Sequence, residues 1–382
     1  MLVKTPVNQI LTRYALPVQH FLRTEIAELT PPSSTAADAL SELEAFYGQM
    51  RYHLGWVDAH FSPLQASTGK LLRPALLLLA YEAAGACGDR GDGDMASVRD
   101  EARHLRRALP AAAAIELFHN FSLIHDDIED GDLERRHRPT VWALWGVSAA
   151  INTGDGLNSL SRLTLFKLLE TGVEAHLVAE LGKCFDRACL LVTEGQHLDL
   201  SFEAREEISV ASYLEMIARK TAALMACATE IGARLGTRDA QVIAGLRQCG
   251  LQVGMAFQIR DDLLGIWATR EETGKTPAGD LLRRKKTLPV LHAFEHASPP
   301  DQALLRAFYQ LQDTPAQVQV QRVLEILDRT QSRTYCQFAL RERCQQARAA
   351  LAQIAGAHAL EQRALADLAV LIDYIAEDLW PA

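Results

Sequence analysis

Two aspartate pairs, each closing a long run of helix-forming apolar residues, constrain this chain more than any other feature. The first lies in His125-Asp126-Asp127-Ile128-Glu129-Asp130 and follows Phe118, Phe121, Leu123 and Ile124. The second lies in Arg260-Asp261-Asp262-Leu263-Leu264-Gly265. Carboxylates this close repel one another unless a cation sits between them. Residues three and four apart on a helix share a face. Asp126 and Asp130 therefore project together with Glu129 beside them, while Asp127 turns away by roughly 100°. Oxygen ligands paired in this way suit Mg²⁺, which keeps several waters and takes phosphate oxygens for the rest. Two such clusters on facing helices would hold a diphosphate through the metal. A solvated acidic helix end is the plain alternative. The apolar lead-in and the immediately following Arg135, Arg136 and Arg138 weigh against it.

The remainder of the chain reads as helix. Ala, Leu, Glu, Arg and Gln dominate, and these are strong helix formers. Apolar residues recur at spacings of three and four, as in Leu214, Ile217, Ala218 and Leu224. Alternating strands with Asn-Gly turns are absent. Breaks are expected at Pro31-Pro32-Ser33-Ser34, from Gly85 to Gly93, at Gly154-Asp155-Gly156, at Gly236-Thr237, from Thr269 to Gly279 and at Ser298-Pro299-Pro300. The expected fold is a single all-α domain over 41–382, preceded by an N-terminal extension or first helix over 1–40. The segment from Gly88 to Asp100 reads as a surface loop, because it lacks the bidentate Glu of a calcium loop.

Composition narrows the function. A net charge of −9 argues against nucleic acid as a partner bound through bulk positive charge. Seven cysteines, an odd number with no CxxC pair, fit a reduced cytoplasmic compartment. The N-terminus lacks a signal-peptide core, and no stretch approaches the ~20 apolar residues of a transmembrane helix.

Basic residues form a second constellation. Lys70 and Arg73 stand one turn apart at an expected helix start, in Gly69-Lys70-Leu71-Leu72-Arg73-Pro74. There the helix dipole and the side chains both favour a phosphate. Arg135, Arg136, Lys220, Lys275 and the run Arg283-Arg284-Lys285-Lys286 add cations near the acidic clusters. In a net-acidic chain, a shared polyanion bridging metal and cations explains that placement.

At these residues the chain resembles the trans-isoprenyl diphosphate synthases (polyprenyl synthetases). The matching strings are GKLLRP (69–74), AIELFHNFSLIHDDIEDGDLERRHRPT (114–140), GDGL (154–157), EGQHLDL (194–200), ARKTAAL (218–224), FQIRDDLLGIW (257–267), TGK (273–275) and GDLLRRKKTLPV (279–290), in family order. The resemblance implies an all-α bundle with a central cavity, in which about three Mg²⁺ ions bridge the aspartate motifs to an allylic diphosphate. It gives Asp126, Asp130 and Asp261 the metal, with Asp127 and Asp262 in support. It gives Arg135, Lys220, Gln258 and Lys275 the allylic diphosphate. Lys70, Arg73, His119 and Arg136 take isopentenyl diphosphate. The implied reaction is ionisation of the allylic substrate followed by head-to-tail condensation, in a cytoplasmic homodimer. Departures from the family pattern are Thr68 and Leu71 in the first basic motif, Gly265 where many members carry a third Asp, Ala268-Thr269 after it, and a C-terminus without a basic tail.

Product length should be set below Asp126. Ser122, Phe121 and Phe118 lie roughly 6, 7.5 and 12 Å down the helix from it. One aromatic beside the small Ser122 resembles members that stop at twenty carbons, so geranylgeranyl diphosphate is expected, with farnesyl diphosphate as runner-up. A non-catalytic modulatory subunit and a terpene cyclase are the competing readings. Retention of both aspartate pairs argues against the first, and the Lys70, Arg73 and His119 set against the second.

Overall fold

The computed structural model describes residues 6–28, 37–64, 66, 69–86, 104–268, 278–311, 313–358 and 360–377. The described residues are almost wholly helical. The helices are α1 (Pro6–Glu28), α2 (Ala37–His53), α3 (Leu72–Tyr81), α4 (Leu109–Glu129), α5 (Val141–Trp145), α6 (Val147–Phe166), α7 (Ala175–Glu203) and α8 (Val210–Ile217). They continue as α9 (Ala223–Gly236), α10 (Ala240–Trp267), α11 (Gly279–Leu282), α12 (Leu288–His296), α13 (Pro299–Tyr309), α14 (Gln317–Arg329), α15 (Ser332–Ala357) and α16 (Gln362–Ala376). One two-residue hairpin pairs Glu134 with Pro139 and Arg135 with Arg138.

The chain divides into two compact units. One comprises Met1–Phe185, Ala228–Asp239 and Leu360–Asp367; the other comprises Asp186–Cys227, Ala240–Ala359 and Leu368–Ala382. In the first unit, α4 and α6 form the most extensive helix pair, and α1 packs on α3 and α4. The buried apolar residues of α1 are Val7, Ile10, Leu11, Tyr14, Val18, Leu22 and Ile26. Their spacing of three and four makes one apolar stripe facing the core. Beyond Arg73, helix α3 is apolar and buried from Pro74 to Tyr81. In the second unit, α10 pairs with α15. A satellite core there gathers Ile266, Leu281, Val290, Leu305, Phe308 and Ile326.

One expected break is absent. Gly154-Asp155-Gly156 lies inside α6. Its glycines mark close packing rather than a turn. A Cβ on Gly154 would lie 2.5 Å from the His125 ring, and one on Gly156 would lie 2.3 Å from Met50 Cε. Ser298 does cap α13, accepting from Asp301 N at 3.4 Å. Pro31 to Ser34, and Thr269 to Pro277 of the expected break before Gly279, lie outside the described residues. So does the whole loop from Gly88 to Asp100. No helix among the described residues is long and apolar enough to cross a membrane.

Candidate active site

The first unit carries the first acidic cluster at the C-terminal end of α4, which has no basic residue in its last turn. A helix C-terminus already carries partial negative charge, so carboxylates placed there call for a cation. Asp126 and Asp130 lie one turn apart, with Asp130 N bonded to Asp126 O at 2.8 Å. Asp127 is turned into the protein and 1% exposed. Its Oδ1 accepts from Arg135 Nε at 2.6 Å. Burial pushes the Asp127 acid up to about 6, against the pull of Arg135.

Arg135 is delivered by the hairpin. Its turn residues Arg136 and His137 both have positive φ, 54° and 60°. A two-residue turn with both φ positive matches the twist of a hairpin, but it normally takes Asn or Gly. Non-glycine residues held there store strain, which structures keep where the side chain has a job. Arg138 anchors the hairpin by donating to Tyr52 O at 3.0 Å and Val57 O at 2.7 Å. Arg136 turns back against the loop before α3. A Cβ on Gly69, which has φ of 81°, would meet its Nη2 at 3.0 Å.

That loop places the cations of the first basic motif. Leu71 is left-handed at φ 49° and precedes the first turn of α3. Lys70 is exposed and Arg73 partly buried. Arg73 Nη1 lies 3.1 Å from His119 Nε2. Burial, together with Arg73 and Arg136, drives the His119 pKa well below its usual value, so the neutral ring accepts that proton. Glu116 is 4% exposed and faces both Arg73 and Arg136. Asn120 Nδ2 donates to it at 2.9 Å. One buried carboxylate thus faces two partly buried guanidiniums. Burying excess positive charge is costly, and an anionic ligand would offset it. His53, at the end of α2, faces Arg136, Arg135 and Arg138 and is held neutral by burial. Its buried Nε2 has no hydrogen-bond partner among the described residues. Neither His53 nor Glu116 stood out in the sequence, because a lone His or Glu in a helical run carries no local signal.

Below Asp126, Phe118 is buried and meets Phe185 at 5.8 Å between ring centroids. Phe121 stacks edge-on against His125 at 4.7 Å. Ser122 Oγ donates to His119 O at 2.8 Å.

The second unit carries the second cluster in the last two turns of α10, again with no basic residue in the last turn. Asp261 is exposed, whereas Asp262 is 2% exposed. Asp262 accepts from Tyr213 Oη at 2.7 Å, Gln258 Nε2 at 3.0 Å and Leu288 N at 3.3 Å. Three donors favour the ionised carboxylate and oppose burial, which pushes the acid up to about 8. Gln258 Oε1 in turn accepts from Thr221 Oγ1 at 2.8 Å. Lys220 stands in a π-helical turn, Ala218–Ala222, between α8 and α9. Such turns often mark functional positions. Its Nζ lies 2.5 Å from Asp199 Oδ2. Lys275 lies outside the described residues.

The basic run after α11 is engaged within the protein. Arg283 pairs with Asp280 at 3.2 Å, and Arg284 donates to Asp313 O at 2.7 Å. Lys286 donates to the carbonyls of Phe202, Glu203 and Arg205 at 3.0, 3.0 and 2.5 Å. It caps the C-terminal end of α7, where a cation complements the helix dipole.

The donor set suits Mg²⁺. Among the described residues no three His, Cys, Asp or Glu side chains converge on one point. Mg²⁺ needs no such cage, since it takes one or two carboxylates and completes its shell with water and phosphate. Asp126 with Asp130 provides a pair of that kind, and Asp261 a further carboxylate.

The sequence model of the family described as polyprenyl synthetase matches residues 55–327. A (2E,6E)-farnesyl diphosphate synthase of Mycobacterium tuberculosis is 40% identical over 291 residues, 76% of this chain and 74% of that protein. A geranylgeranyl diphosphate synthase of the same organism is 43% identical over 248 residues, 65% of each. A solved polyprenyl synthetase from Streptomyces coelicolor aligns with a TM-score of 0.81 at 32% identity, covering 97% of this chain and 100% of that one. The chain belongs to the polyprenyl synthetase family and is a prenyl diphosphate synthase with the all-α isoprenoid synthase fold.

Proposed function

We infer that this synthase condenses isopentenyl diphosphate with allylic diphosphates head to tail and that its main product is geranylgeranyl diphosphate. The observation that carries the product assignment is the pairing of one aromatic, Phe121, with the small Ser122 one turn below Asp126. Relatives named for fifteen-carbon and for twenty-carbon products are similarly distant, so farnesyl diphosphate is the second reading.

The family uses Mg²⁺. Asp126, Asp130 and Asp261 would hold about three ions, which would supply charge neutralisation to the leaving diphosphate. Asp127 holds Arg135 in place through its 2.6 Å bond. Arg135, Lys220, Gln258 and Lys275 bind the allylic diphosphate. Lys70, Arg73, His119 and Arg136 bind isopentenyl diphosphate, and the partly buried Arg73–His119 contact pre-orients that group. The allylic C–O bond breaks and its electron pair leaves with the diphosphate. The isopentenyl double bond then attacks the allylic cation, and a proton passes to the released diphosphate. Positioning and electrostatic stabilisation carry the rate, with no side-chain nucleophile.

The enzyme acts in the cytoplasm as a homodimer. The exposed apolar residues Leu144, Val147, Ile151, Leu163 and Phe166 of α5 and α6 support a face for a second copy. The test is incubation of purified protein with Mg²⁺, isopentenyl diphosphate and each allylic starter, with products read by chromatography. A twenty-carbon main product is expected. A fifteen-carbon main product establishes the second reading, and no product from any starter favours a modulatory subunit.

A further inference from the structure

In the first unit, the carboxylates one turn apart, Asp126 and Asp130, both come from α4. Helix α10 cannot build that pair alone, because one turn after Asp261 stands Gly265. The space beside Gly265 is nevertheless occupied by a carboxylate. A Cβ built on Gly265 would lie 1.9 Å from Asp280 Oδ2, 2.5 Å from its Cγ and 3.0 Å from its Oδ1. Asp280 belongs to the first turn of the short helix α11, whose preceding residue Ala278 is left-handed at φ 52°. The backbone bond from Lys285 N to Asp280 O, 2.8 Å, holds that turn closed.

Asp280 is 9% exposed, and Asp261 is close enough for its charge to act on it. Arg283 donates to its Oδ1 at 3.2 Å. Arg283 is half exposed, so solvent screens its hold on Asp280. A carboxylate buried against a glycine and beside another carboxylate therefore calls for a reason other than folding.

We propose that Asp280 supplies from α11 the second carboxylate that α10 lacks at Gly265, so that Asp261 and Asp280 together serve the metal bound in this unit. The inference rests on the reading of Asp261 as a Mg²⁺ ligand. It makes Gly265 a spatial complement to Asp280: the absent side chain is what admits the carboxylate.

Metal binding tests this without reference to turnover. The full chain is titrated with Mn²⁺ in the presence of inorganic diphosphate, and free Mn²⁺ is followed by electron paramagnetic resonance. Asp280→Asn, which keeps the side-chain volume, weakens binding of part of the Mn²⁺ by about tenfold or more. Gly265→Asp alone crowds two carboxylates into one space, lowers the melting temperature and gains no affinity. The double variant Gly265→Asp with Asp280→Gly returns the carboxylate to α10 and recovers most of the loss. Wild-type binding in Asp280→Asn, with weakened binding in Asp261→Asn, overturns the proposal and leaves the role of Asp261 standing. Wild-type binding in both overturns that role as well. A folded double variant that recovers nothing also refutes the spatial substitution. Where the double variant does not fold, the Asp280→Asn titration decides alone.

Discussion

Gly195→Ala in α7 links packing to chemistry through one methyl group. A Cβ at Gly195 would lie 2.2 Å from Lys220 N and 2.6 Å from Lys220 Cα. Ordinary contact begins near 3.4 Å, so the turn carrying Lys220 must retreat by about 1 Å. The obstacle is backbone, which cannot swing aside as a side-chain tip can. Replacing a helical Gly with Ala gains about 1 kcal/mol of helix propensity. Overpacking against fixed backbone costs about 1–3 kcal/mol. The clash wins, and the melting temperature should fall by a few degrees, since 1 kcal/mol corresponds to about 2–4 °C in a chain above 150 residues. The larger effect is on function. The same retreat draws Lys220 off Asp199, now 2.5 Å away, and off the substrate phosphate it is assigned. A misplacement of about 1 Å can cost about a hundredfold in rate. Steady-state kinetics with varied allylic diphosphate should show a fall in kcat/KM of about that order, with the KM for isopentenyl diphosphate nearly unchanged. Wild-type kinetics together with a wild-type melting curve would refute the bracing of Lys220 by Gly195. A lowered melting temperature with intact kinetics would refute the functional half alone.

Two further predictions address binding and product length. Arg73→Ala should raise the KM for isopentenyl diphosphate far more than that for the allylic substrate, and Lys220→Ala should do the reverse; equal effects in both variants would show the cations to be wrongly divided. Phe121→Ala removes the ring stacked on His125 and should lengthen the product without abolishing turnover, as read by chromatography. An unchanged product distribution would place the floor elsewhere, at Phe118 or along Leu157 to Leu160.

The helical fold was legible because its period is local. The stripe of α1 and the run leading to Asp126 can be read within single turns. The first basic motif was legible for the same reason, since Lys70 and Arg73 flank the start of α3 as their spacing implies. What could not be read were contacts between elements distant in sequence. Gly154 and Gly156 resemble a turn in isolation, yet they are helical because His125 and Met50 need their space. The run from Arg283 to Lys286 looks like a phosphate clamp, yet Lys286 caps α7. Helical spacing turns Asp127 away from Asp126, but the burial of Asp262 beside the exposed Asp261 could not be read locally. His53 joins the arginine cluster through tertiary structure alone.

The central claim is that the aspartate clusters act through Mg²⁺ on the leaving diphosphate. Turnover of Asp126→Ala and of Asp261→Ala under saturating Mg²⁺ tests it most directly. Loss of metal-assisted leaving-group stabilisation should lower kcat by at least about a hundredfold in each variant. The melting temperature without metal should stay level or rise, because one repelling carboxylate is gone. Near-normal turnover in either folded variant would contradict the assignment.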